Sequence, residues 1–580
     1  MTLELLPNEV IIHCFKYFNA IDLFNAFDKL NYRLQNLIEN IPLCFNFQHV
    51  KRITFDKFCN KIVLNPNLKQ QIYSLQLSNE LDTRDQIKSF LSLFSLNKFC
   101  QLRSLTLINV NANEIEMLKL ILPSLSNLSY FCDYSMKIDN TTLSAFSLPN
   151  LRKLIVGDVF DCPLLTEKTT LLTHLTVAHC PPMVFEKLFK YAPMLKYLNV
   201  KRLEEQNWFF GRILDLASVR TIYLTQLNLC IYELELEHIE ILLREKPNLK
   251  ILILSIISQD KDIVDSNRWQ KFISLHLPHL HIFKFYFSIK LTCVYSWVCN
   301  GPFYEFEGQF QRDFWNKQHH WHTVYQLEES SASIFTIPYN KNDYILTSHT
   351  QLNCQNILMD TSKLFDNVTN LTLSLNGISK HCHTPMIFSN IKTLVLKEEH
   401  DPKWSDYIVP IIESIRSSKL IMNLFNLQHL DIKRTCTIEL SLILLQILKE
   451  TPHLSSLSID RIDLISLLTN DELCNYFSKL IIKLKIRDYT HWGSNAFNSL
   501  EQVWSIFSNI EQLKCYIDSL NDILFLFNRL PKLLNLTVVC DPDSDDDLQL
   551  WLQNNISQLN ANFFVDTYDG SLNFCSNKSI

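Results

Sequence analysis

A short phrase, apolar-x-x-Leu-x-apolar, recurs along most of this chain and limits what it can fold into more than any other feature. In a first run its central residues are Leu75, Leu105, Leu128, Leu154, Leu175, Leu198, Ile222, Leu252 and Phe283. In a second they are Leu371, Leu394, Leu430, Leu457, Leu484, Leu513 and Leu536. Of the sixteen occurrences, most follow one another at 21 to 31 residues, with one longer step from Leu394 to Leu430. Alternating apolar residues over so short a stretch specify a strand with one buried face. A lone strand cannot bury that face, so the units must stack on one another. Stretches between phrases, such as Asn113 to Leu122, carry helical spacing. Proline stands two residues before the first apolar position at Pro123, Pro149, Pro193, Pro247, Pro278, Pro452 and Pro531. Lacking an N–H and biasing its predecessor toward extended backbone, it belongs at a helix-to-strand corner.

The phrase and its period resemble leucine-rich repeats. The resemblance implies an α/β solenoid with a parallel concave sheet and a helical convex side, in two runs spanning 46–290 and 356–580, the second ending in a C-terminal cap.

Residues 1–45 read differently. A proline-led opening, Leu5-Leu6-Pro7-Asn8-Glu9, precedes apolar side chains at Val10, Ile11, Cys14, Phe15 and Phe18, spaced along one helical stripe. Asp22 is the expected N-cap of a second helix carrying Leu23, Phe24, Phe27, Leu30, Leu34, Leu37 and Ile38. So short a segment with so many large apolar groups lies near the size below which a domain needs a partner. The string LLPNEVIIHCFKYF followed by IDLF resembles an F-box, the element by which substrate receptors bind the Skp adaptor of SCF-type cullin-RING ubiquitin ligases. The likeness covers residues 2–40. It implies adaptor-binding roles for Leu5, Pro7, Val10, Ile11, Phe15 and Leu23, with Tyr32 standing where F-boxes commonly carry a tryptophan. The alternative is a helical cap sealing the first repeat of a non-ligase interaction scaffold.

Composition excludes several other classes. Hydrophobic residues make up 47% and charged residues 20%, enough apolar surface to offset the entropy of ordering. With 54 basic against 60 acidic residues the net charge is −6, so no overall positive field draws nucleic acid or an anionic membrane. The chain's apolar runs, such as Ile251–Leu254, are far below the roughly 20 residues of a membrane span, and Met1–Glu4 lacks a basic leader. A soluble cytoplasmic or nuclear protein is expected. Seventeen cysteines, scattered through apolar positions such as Cys132, Cys180, Cys230 and Cys515, read as reduced small hydrophobes.

No phosphate-cradling glycine motif and no nucleophile elbow occurs among only seven glycines, so no enzyme activity and no cofactor are expected. His319, His320 and His322, and His381-Cys382-His383, are too close in sequence to converge on one metal ion unaided, and read as solvated loops. Asp541, Asp543, Asp545, Asp546 and Asp547 begin like a calcium loop but lack its glycine and its closing glutamate. Residues 291–355 interrupt the repeat. Their aromatics, from Phe303 to Tyr339, and alternation around Trp321–Tyr325 predict β structure, either a packed plug or an exposed recognition element.

In a repeat array the strand residues flanking each buried leucine form the binding face. Candidates for holding a protein substrate are Tyr197, Tyr223 and Tyr286 in the first run, and Lys433, Lys483, Lys485, Arg487 and Lys514 in the second. The second set is either a basic patch for an acidic or phosphorylated segment or ordinary solvated charge. The combined expectation is a non-enzymatic substrate receptor that acts in protein degradation by bringing its target to a ubiquitin ligase.

Overall fold

A computed structural model describes residues 5–50, 52–80, 83, 85–133, 150–158, 171–204, 220–290, 309–328, 330–353, 361–375, 378–379, 386–398, 408–409, 420–433, 440–487, 501–517, 519–539, 551, 555, 561–566 and 571–576. The chain is mixed α/β and divides into two compact units, Met1–Lys290 with Pro302–Trp321, and Leu291–Gly301 with His322–Ile580.

In the first unit ten strands pair in parallel, each with the next: β1 (Leu43–Asn46), β2 (Ile72–Ser78), β3 (Ser104–Ile108), β4 (Tyr130–Asp133), β5 (Lys153–Asp158), β6 (His174–His179), β7 (Tyr197–Leu203), β8 (Gln226–Tyr232), β9 (Ile251–Ser258) and β10 (Ile282–Lys290). Cα register places Phe45, Leu75, Leu105, Phe131, Leu154, Leu175, Leu198, Leu227, Leu252 and Phe283 in one column. Each is buried. At about 1.5–3 kcal/mol per large apolar side chain removed from water, such columns are the main stabilising term.

Two phrases fall out of register with this column. Phe131, and not Leu128, lies opposite Leu105, because the third apolar position of that rung is occupied by buried Asp133 and the pattern is recovered three residues too early. Likewise Leu227, and not Ile222, lies opposite Leu198. Both triplets fit the phrase, but Leu227, Leu229 and Ile231 continue the buried alternation, whereas Ile222 is half exposed. The ladder also begins one strand before the first recognised phrase, at β1.

The second unit contains β11 (Thr323–Leu327), β12 (Ser331–Thr336), β13 (Asp343–Leu346), β14 (Gln351–Asn353), β15 (Asn370–Ser374), β16 (Ile378–Ser379), β17 (Met386–Phe388), β18 (Thr393–Lys397), β19 (Ile408–Val409), β20 (Leu420–Met422), β21 (His429–Lys433), β22 (Ser456–Asp460), β23 (Lys483–Arg487), β24 (Gln512–Tyr516), β25 (Asn535–Val539), β26 (Ala561–Asp566) and β27 (Ser571–Ser576). β13, β15, β18, β21, β22, β23, β24 and β25 form a parallel ladder. It ends on antiparallel β27 and β26, where Phe574 lies opposite Leu536. Its buried column runs through Tyr344, Leu371, Leu394, Leu430, Leu457, Leu484, Leu513 and Leu536, so Tyr344 supplies a rung the phrase missed. β11 pairs antiparallel with β12 and β14, while β16 with β19 and β17 with β20 form separate pairs.

Between successive strands of the chain come amphipathic helices such as Ala112–Ile121, which opens with a reciprocal Asn111–Glu114 capping box, Leu236–Arg244, Leu440–Lys449 and Asn521–Arg529. At the turns before the strands, asparagine amides donate to the carbonyl of the preceding turn: Asn127 to Cys100 at 2.8 Å, Asn150 to Ser126 at 2.8 Å and Asn248 to Ile222 at 2.7 Å. Asn367 to Tyr339, Asn390 to Asp366 and Asn509 to Ser478 repeat this in the second unit, at 2.8, 2.8 and 3.0 Å. Glycine is so scarce that the left-handed turns at Asn109 and Glu233 are made without it.

The aromatics of 309–321 pack on the end of the first ladder. Fully buried Trp315 sits 4.7 Å from Phe310 between ring centroids, and Phe310 sits 5.2 Å from Phe285. Phe303, Tyr304 and Phe306 lie outside the described residues.

The register assigns distinct roles to two similar side chains. Leu227→Ala is expected to destabilise the protein by about 2–5 kcal/mol, and Ile222→Ala by about 0.5 kcal/mol or less, in urea titrations; equal effects would contradict the register.

Candidate functional site

Three short helices precede β1. α1 (Asn8–Phe15) starts directly after Pro7, α2 (Ala20–Phe27) is capped by Asn19, and α3 (Tyr32–Ile38) by Asn31, whose Oδ1 accepts from Leu34 N at 2.8 Å. The expected single second helix is therefore two, and Asp22 lies in a first turn instead of at the cap. The break follows from local chemistry, since Lys29 takes a left-handed φ of 60° and Asn31 offers the stronger cap.

The six residues matched to the F-box pattern separate into two groups. Ile11, Phe15 and Leu23 are buried in the chain's own packing, with Phe15 5.1 Å from Phe27 between ring centroids. Leu5, Pro7 and Val10 are exposed, Leu5 at 71% and Val10 at 42%. Leu30 and Tyr32, at 63% and 85%, are exposed with them. Arg33, next to Tyr32, joins the two helix starts by donating from Nε to Asn8 Oδ1 at 2.8 Å and from Nη2 to the Leu6 carbonyl at 2.6 Å. Sequence periodicity missed Leu30 as an exposed residue because it counted every apolar position as stripe, whereas the break between α2 and α3 turns it outward.

The other side of the helices is seated on the ladder. Phe24 stacks 6.4 Å from Phe45, and Asn19 exchanges hydrogen bonds with Asn46 of β1, donating to its carbonyl at 2.9 Å and accepting from its N–H at 3.0 Å. Lys61 pairs with Asp28 at 2.5 Å and lies over the Phe24 ring at 3.9 Å.

Of the tyrosines proposed for the first run, Tyr197 stands on β7, its ring 5.8 Å from His174 in a near-parallel stack, its hydroxyl accepting from Asn228 Nδ2 at 3.4 Å. Tyr286 stands on β10, partly exposed. Tyr223 is on no strand. It lies in the bend before β8, displaced by the same register shift that moved Ile222.

The second-unit candidates do converge. Lys485 and Lys514 are Cα partners on β23 and β24, Lys483 is two residues from Lys485, and Lys433 is on β21. Arg487 differs from the lysines. Its Nε donates to Asp460 Oδ1 at 2.8 Å, Nη1 donates to Asp431 and Nη2 to the Ile432 carbonyl. Burial works against its charge, yet the bonds to Asp460 and Asp431 outweigh it and raise its pKa above the ordinary value. It is a staple across β21, β22 and β23 rather than an open contact residue. Lys433 approaches Asp431 at 3.9 Å. The Lys485 ammonium is pushed below its usual pKa by burial first and then by Lys514 and Arg487.

Among the described residues no group of three or more His, Cys, Asp or Glu side chains is placed to hold a metal ion, and no helix is long and apolar enough to cross a membrane. His319 stacks on Trp321 at 4.1 Å instead of facing a ligand. Residues 381–383 and 541–547 lie outside the described residues. Cys132, Cys180 and Cys515 are buried, and burial raises the Cys515 thiol to about 12. No protein-family model matches the chain, and no curated protein matches it in sequence.

With its side chain 13% exposed, and Asp431 and Asp460 at 15% and 9%, Arg487 leaves two nearly buried carboxylates behind if removed. Arg487→Ala is expected to lower stability by about 3 kcal/mol in urea titrations. His429, whose Nδ1 lies 2.8 Å from Ser456 Oγ, has a lowered pKa, chiefly through burial, with Asp431 opposing and Lys485 and Arg487 adding to the fall. The unfolded chain therefore takes up this proton first, so the His429 contribution is whole above about pH 6.5 and is lost as pH falls below it. His429→Gln is expected to flatten the stability profile between pH 7 and 5, and an unchanged slope would refute the assignment.

Proposed function

We propose that this chain is a substrate receptor of an SCF-type cullin-RING ubiquitin ligase: an F-box formed by α1–α3 docks on the Skp adaptor, and a leucine-rich-repeat solenoid carries the protein to be ubiquitinated. The observation that supports this most is the exposed set Leu5, Pro7, Val10, Leu30 and Tyr32 around the starts of α1 and α3, a concentration of apolar side chains that a partner would cover. Ile11, Phe15 and Leu23, already buried, hold the helices in place beneath it. The chain itself performs no transfer in this reading. Its part is proximity, raising the target's effective concentration beside a ligase-bound donor.

One observation favours the second reading, in which the helices are only a cap for a protein-interaction scaffold. Phe24 and Asn19 close the free edge of β1, as a terminal rung requires. Capping uses the inner side of the helices and docking the outer, so one segment can do both.

A pull-down of the full chain with purified Skp adaptor separates them. Wild type is expected to bind, and both Leu5→Ala with Pro7→Ala and the single change Val10→Asp are expected to weaken binding tenfold or more, about 1.4 kcal/mol, with unaltered thermal melting. Absence of wild-type binding, or variants that bind as wild type does, leaves only the scaffold.

A further inference from the structure

The outward positions of four consecutive strands in the second unit carry a marked charge imbalance. On β21 they are His429, Asp431 and Lys433; on β22 Ser456, Ser458 and Asp460; on β23 Lys483, Lys485 and Arg487; on β24 Gln512, Lys514 and Tyr516. Five cations thus face two carboxylates in a chain whose net charge is −6. Lys397, the Cα partner of Lys433 on β18, extends the same row. Both carboxylates are engaged by Arg487, and Asp431 also lies 3.9 Å from Lys433, so the acidic charge on this face is already shared with its cations. The register then sets Lys485 beside Lys514, and the depressed Lys485 pKa records the repulsion along with burial. An anion placed over this pair relieves that repulsion.

We infer that this face binds an extended, Asp/Glu-rich peptide segment of a partner protein, with Lys483, Lys485 and Lys514 as its principal contacts and Lys433 at the border. Along β23 the Lys483 and Lys485 side chains emerge about 6.7 Å apart, and an extended peptide presents every second side chain at the same repeat. Neighbouring strands add Lys514 about 4.8 Å to the side. A segment lying along β23 therefore sets alternate carboxylates against successive lysines. Lysine ammonium groups, acting as point charges, suit dispersed carboxylates, whereas a single phosphate is gripped best by a planar guanidinium fork. The one fork present, Arg487, is already occupied by Asp431 and Asp460. This assignment deepens the receptor reading by naming the chemistry of the target, and rests on that reading only for what binding leads to.

The test is fluorescence anisotropy with the full chain and a labelled heptapeptide carrying glutamate at alternate positions, against the same peptide with glutamine. The glutamate peptide is expected to bind at least tenfold tighter, with affinity falling as salt rises. Lys485→Ala with Lys514→Ala is expected to abolish the preference at unaltered melting temperature, and Lys485→Arg with Lys514→Arg to keep it. Equal binding of the two peptides, or an alanine variant that retains the preference, overturns the proposal. So does tighter binding of a singly phosphorylated peptide or of a single-stranded RNA of equal charge. Adaptor pull-down by the alanine variant is expected to match wild type, so loss of peptide binding and failure of the docking reading are told apart.

Discussion

Everything in each unit depends on parallel strands held in strict register, because that alignment converts scattered leucines into continuous buried columns. A rung alone exposes its apolar side chains and its peptide groups. Between two neighbours it exposes neither, since parallel pairing satisfies the N–H and C=O groups while Leu198, for example, lies between Leu175 and Leu227. The arrangement leaves edges, and two ends of the parallel ladders are treated by different means. Phe24 and Asn19 cover β1, whereas β25 is continued by antiparallel β27 and β26. The helices cover an edge, whereas the antiparallel pair moves it outward to β26.

Arg487 shows how a ladder of this kind handles charge. It reaches across two neighbouring strands to Asp460 and Asp431 and caps the Ile432 carbonyl. One guanidinium thereby sits against two carboxylates and holds both within the ladder. The interaction that binds β21, β22 and β23 together thus also offsets part of the acidic charge beside the lysines.

Much of the strand order could be read from the sequence, because few folds other than a stack of strands place Leu-x-x-Leu-x-apolar at a near-constant period. The slips at Leu128 and Ile222 have physical causes. Buried Asp133 occupies a position in an apolar column, which no hydrophobic pattern anticipates, and Val219-Ile222-Leu224 overlaps Leu224-Leu227-Leu229, so only the neighbouring strand decides. β1 and β13 depart from the phrase because Pro42 and Lys341 stand at its first apolar position, with Phe45 and Tyr344 at the centre. The asparagine before the first apolar residue was the unused signal, since Asn127 precedes Leu128 as Asn150 precedes Leu151. Surface assignments were harder. Periodicity marks Ile11, Phe15 and Val10 alike as apolar, and only the packing of α1 against its neighbours leaves Val10 outside. In sequence Arg487 is one more cation beside the lysines, and only the fold brings Asp431 and Asp460 into its fork.

The asparagine ties have a consequence for how such a chain can change. In all six, the asparagine stands four residues ahead of the central buried residue of its rung, as with Asn127 and Phe131 or Asn509 and Leu513. Central residues of successive rungs, by contrast, lie anywhere from 21 to 36 residues apart. An insertion between tie and strand would point every following side chain of that strand to the wrong face. The same insertion on the helical return leaves both ends anchored. Length is therefore fixed on one side of each rung and elastic on the other, and the helical returns are where this architecture can lengthen, shorten or acquire new surface without disturbing the columns that hold it together.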